Sequence, residues 1–65
     1  MNFAIYDTKW QKRWASGNTE DKGFKSICDY LMSSSEPDIF KIVFVIGDQV
    51  KIMPLAEYIT EFIGA

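Results

Sequence analysis

Residues 39–46 (Ile-Phe-Lys-Ile-Val-Phe-Val-Ile), the pair Gly47-Asp48, and residues 49–53 (Gln-Val-Lys-Ile-Met) constrain the fold of this chain more than any other stretch. A run of β-branched and aromatic side chains favours a pleated strand. A glycine leading a two-residue break is the turn chemistry that doubles such a strand back on itself. A two-residue turn also fixes the register: Ile46 opposes Gln49, Val45 opposes Val50, Phe44 opposes Lys51, Val43 opposes Ile52, and Ile42 opposes Met53. Strand side chains alternate between faces. One face therefore collects Val43, Val45, Val50 and Ile52, and is expected to be the core face. The other collects Phe40, Ile42, Phe44 and Ile46 beside Gln49 and Lys51, too apolar for open water yet partly polar. Either the helices divide over both faces, or this second face is covered by the N-terminal aromatic segment, a second copy or a partner.

Two helical stripes flank the hairpin. Phe24, Ile27, Cys28, Leu31 and Met32 recur at i, i+3, i+4, i+7 and i+8, predicting an amphipathic helix over about 19–33. Thr19 is its expected N-cap, with Glu20 and Asp21 placing negative charge in the first turn. The run Ser33-Ser34-Ser35-Glu36-Pro37 ends it, because proline disfavours helical backbone at the residue before it. Pro54 suits the first position of a second helix over 54–63, whose stripe is Leu55, Tyr58, Ile59, Phe62 and Ile63. Residues 3–6 read as a strand. Residues 8–15 fit a strand, which puts Trp10, Lys12 and Trp14 on one face, or a helix, which stacks Trp10 on Trp14; a hairpin with the first strand is preferred. Ser16-Gly17-Asn18 is expected to break that segment. The expectation is a small α+β fold in the order β-(β)-α-β-β-α, forming one domain over 1–65.

Sixty-five residues lie near the lower size limit for unaided folding, although 48% hydrophobic and 15% aromatic residues argue for a real core. Domains this small usually need a staple. The lone Cys28 cannot form an internal disulfide, and a chain without histidine or a cysteine cluster offers no transition-metal site. Self-association or a partner gains weight accordingly. No stretch matches a secretory signal, and the longest apolar run falls far short of the roughly 20 residues of a membrane helix. A cytoplasmic location away from membranes is the expectation.

Catalytic machinery is not legible. No histidine can activate Cys28 or a serine, and Cys28 lies on an apolar stripe where a buried, inert thiol is expected. The four glycines are scattered, so no phosphate-cradling loop is formed, and no cofactor is implied. Pro37-Asp38 followed by Asp48 and Lys51 approaches a metal-dependent nuclease pattern, but that chemistry needs its acid and lysine two apart on one strand face. Here they are three apart, and Asp48 reads as a turn residue. Glu57 and Glu61 are one helical turn apart on a face expected to be solvated. The expectation is a protein without enzymatic activity.

Charge and aromatic content concentrate at the front. Residues 1–25 carry a net charge of +2 and residues 26–65 a net charge of −4. Trp10, Lys12, Arg13 and Trp14 alternate flat rings with fixed cations, the residue types that most often anchor interfaces. They are the candidate partner-binding residues, aided by Phe40, Ile42 and Phe44 on the second hairpin face; the competing assignment completes the core with both tryptophans. The expected function is a small protein–protein interaction module that binds and modulates, by inhibition, a larger enzyme or complex, of the type that viruses and mobile elements encode. Single-stranded nucleic-acid binding through residues 9–14 is the alternative, disfavoured by a pI of about 4.8. A self-associating structural protein, with the second sheet face as dimer interface, is the third.

Overall fold

The computed structural model describes residues 1–7 and 12–64. Its elements are β1 (Asn2–Tyr6), β2 (Arg13–Asn18), α1 (Phe24–Met32), a 3-10 turn (Pro37–Ile39), β3 (Lys41–Ile46), β4 (Gln49–Pro54) and α2 (Leu55–Tyr58), which widens into a π-helical turn (Ile59–Ile63). The four strands form one antiparallel sheet in the order β2-β1-β3-β4, with two short helices, a small α+β fold. No helix among the described residues is long and apolar enough to cross a membrane.

The β3–β4 register follows from the two-residue turn: Ile46 pairs with Gln49, Val45 with Val50, Phe44 with Lys51 and Val43 with Ile52. Gly47 carries the turn at φ +59°, a left-handed backbone in which a side chain would be strained.

The faces are reversed from the expectation. Phe40, Ile42 and Phe44 lie buried beneath the helices with Phe3, Ile5, Phe24, Cys28, Leu31, Leu55 and Tyr58. The expected core face points away from them: Val45, Val50 and Ile52 are 41, 66 and 57% exposed. The reason is bulk. The gap between a sheet and its helices is filled best by large side chains, and the phenylalanines bury more area than the valines. An aromatic chain ties the layers together, with ring centroids 4.6 Å apart for Phe3 and Phe24, 6.0 Å for Phe24 and Tyr58, and 4.9 Å for Phe44 and Tyr58. Gln49 and Lys51 share the helix-side face without penalty, because β4 is an edge strand and both side chains are exposed.

Helix α1 begins later than its sequence signals. Thr19 does not cap it: residues 13–18 continue as β2 past Ser16-Gly17, and the Thr19 N–H donates to the Met1 carbonyl at 2.8 Å. Asn18 ends the strand instead. Its Oδ1 accepts from the Glu20 N–H at 2.9 Å, and its own N–H donates to Asp21 Oδ2 at 3.2 Å, a side-chain-closed turn. The helix starts at Phe24 behind Gly23, with no side-chain cap. Glycine at position 17 opposes Phe3, whose ring lies 3.6 Å from where a Cβ would stand. Pro54 ends β4 and caps α2 rather than opening it, and the Leu55 N–H donates to the Phe40 carbonyl at 2.9 Å, closing the hairpin onto its own start.

Candidate functional site

A β-bulge sets the geometry of the front segment. Ile5 pairs with Ala15 but Tyr6 pairs with Arg13, so Trp14 is the extra residue on β2. A bulge re-aims the side chain it carries. Alternation would send Trp14 to the outer face; instead its ring meets Phe40 on the helix side, edge-on at 5.6 Å between centroids. Trp14 remains 42% exposed. Lys12 lies over it, Nζ 4.2 Å from the ring centroid, a cation held against the indole face. Arg13 is exposed on the outer face opposite Tyr6. Trp10, the remaining candidate anchor, lies outside the described residues.

Between β2 and α1 runs a groove of about 410 Å³ lined by Trp14, Ala15, Ser16, Ser26, Ile27, Tyr30 and Leu31. Trp14 forms one wall and Tyr30, 72% exposed, lies on the helix side. Half-buried Ile27 and buried Leu31 supply its apolar surface, and Ser16 and Ser26 line it as well. Its size falls in the range of ordinary ligand clefts. The helix residues along it are uncharged, and Lys12 over the Trp14 ring places a cation at the opposite wall. Tyr30 escaped the sequence reading because it lies off the α1 stripe. A large aromatic on the solvent side of an amphipathic helix was the available signal.

Phe40, Ile42 and Phe44 do not join this surface. They are buried under the helices, so the contact role expected of them has no accessible area. Their place in the sheet is that of support: Phe40 backs the ring of Trp14.

A second concavity of about 420 Å³ lies at the end of the helices, lined by residues including Asp21, Phe24, Lys25, Tyr58 and Phe62. Its charges are mixed. In the core, burial and the neighbouring Asp29 push the Cys28 thiol up to about 11, which keeps it protonated and unreactive at neutral pH. Burial, then Cys28, raises the Tyr58 hydroxyl as well. Among the described residues no group of three His, Cys, Asp or Glu side chains is arranged to hold a metal ion.

No protein-family model, curated protein or solved structure matches the chain.

Proposed function

We propose that this protein is a non-catalytic interaction module that modulates a larger protein or complex by taking an acidic, apolar segment of it into the Trp14–Tyr30 groove. The observation that carries this reading is the pair of exposed aromatic rings, 42 and 72% accessible, lining one apolar cleft. Aromatic residues gain the most from leaving water at an interface. Lys12, held over the Trp14 ring at the groove wall, supplies the charge that selects carboxylates around the apolar anchor and speeds encounter.

The reading is tested with a displayed library of random peptides selected against the folded protein. Enrichment of peptides in which an aromatic or long aliphatic residue is flanked by Asp or Glu supports it, provided that Tyr30→Ala weakens binding strongly while far-ultraviolet circular dichroism stays unchanged. Loss of that one ring should weaken binding by about 2 kcal/mol, roughly thirtyfold. No enrichment, or binding indifferent to Tyr30, overturns it. Tight binding of single-stranded oligonucleotides that falls steeply with salt would put nucleic acid in place of the peptide.

A further inference from the structure

The outer face of the β3–β4 hairpin is a second apolar surface, distinct from the groove. Both helices lie on the opposite side of the sheet, and Val45, Val50 and Ile52 project outward with half-buried Val43. We infer that this face binds a second copy of the chain, in a two-fold dimer that stacks the valine–isoleucine patch on itself and places Lys41 of each copy over the Gly47-Asp48 turn of the other.

Val43 pairs with Ile52 and Val45 with Val50, so the patch consists of two apolar rungs on either side of the Phe44–Lys51 rung. A two-fold axis lying in the face, perpendicular to the strands and passing over that middle rung, exchanges the two outer rungs. Val43 and Ile52 of one copy then lie over Val45 and Val50 of the other, apolar on apolar, in the aligned face-to-face arrangement sheets adopt about 10 Å apart. The same operation fixes what meets beyond the patch. Three residues from Phe44 in one direction is Lys41, outward-facing by register and paired with Pro54. Three residues in the other direction is Gly47, with Asp48 beside it in the turn. At about 3.3 Å per residue, both lie about 10 Å from the axis. Each cation therefore arrives over the partner's turn, and the contact is made twice by symmetry.

The edges of the sheet argue for face rather than edge association. On β2 the bulge at Trp14 interrupts the strand, and on β4 the charged Lys51 and terminal Pro54 discourage another strand from pairing. The patch is two strands wide and three residues long, less than the roughly 800 Å² per partner of a standard stable interface. The dimer is accordingly a weak one.

The test is sedimentation velocity from about 5 µM to 1 mM. The wild-type protein should pass from monomer to dimer across that range. Ile52→Glu should stay monomeric with an unchanged circular dichroism spectrum, since its side chain makes no core contact. Lys41→Glu and Asp48→Lys should each weaken dimerisation at least fivefold, and the double variant should recover most of the loss. That recovery is expected only if the two residues meet across the interface, and it keeps the test open should Ile52→Glu fail to fold. A wild-type protein monomeric at 1 mM, a dimer indifferent to all these changes, or charge reversals that do not rescue one another would each overturn the inference. Tyr30→Ala should dimerise as wild type does, which keeps this outcome separate from that of the groove.

Discussion

At the scale of single residues, chemistry follows from which side chains water reaches. Cys28 is buried in the core and its thiol is raised to about 11 from an ordinary value of 9.0. The folded protein thus holds a proton that the unfolded chain releases at lower pH. Stability from this group is complete below about pH 9 and declines as pH rises toward about 11, a loss of roughly 2–3 kcal/mol. The raised Tyr58 hydroxyl acts in the same direction. Thermal unfolding followed between pH 8 and 11 should show the decline, and Cys28→Ala should flatten part of it. Iodoacetamide at pH 8 should label the native thiol far more slowly than the urea-unfolded one. Burial of Cys28 was legible from its place on the α1 stripe. The exposure of Tyr30 was legible in the same way, by exclusion from that stripe, but its meeting with Trp14 was not, because only the fold brings residues 14 and 30 to one groove.

At the scale of elements, the hairpin shows what periodicity settles and what it does not. Alternation and the two-residue turn determined which residues share a face. They did not determine which face meets the helices, since both are apolar. Ranking the faces by freedom from polar residues favoured the valines; filling the interlayer space favours the phenylalanines. Phe44→Ala should therefore cost about 3–5 kcal/mol, comparable with the whole stability of a chain this small, and leave the protein largely unfolded by circular dichroism. Ile52→Thr should stay within about 0.5 kcal/mol in urea melts at micromolar or lower concentration. Gly47→Ala should cost about 1 kcal/mol through backbone strain alone, because nothing lies within 4 Å of the added Cβ. Helix α1 teaches a related lesson. Thr19-Glu20-Asp21 has the composition of a helix start, yet the pairing of Asn18 with Asn2 and the turn closed by Asn18 take those residues first.

At the scale of the whole molecule, a chain with a 10.9 Å radius of gyration has one layer of helices to cover one face of its sheet. The other face is left with Val45, Val50 and Ile52 exposed as a contiguous apolar patch. If that face closes on a second copy, stability becomes a function of concentration. The midpoint of thermal unfolding should then rise between about 10 µM and 1 mM in the wild-type protein and stay constant in Ile52→Glu. A groove on one side and a flat apolar face on the other would let one dimer present two grooves to a larger partner, binding with avidity.

By itself, the sequence determined local matters: the hairpin and its register, the stripe of α1, the turn at Gly47-Asp48, and the burial of Cys28 and Tyr58. Each depends on residues within a turn or two of one another, where spacing and backbone preference act without reference to the remainder of the chain. Tertiary structure alone decided the rest. The bulge that turns Trp14 toward Phe40, the choice of the phenylalanine face as core, and the groove between β2 and α1 all depend on residues distant in sequence competing for one limited interior. That competition is won by volume and fit, quantities that a pattern of polar and apolar letters does not contain.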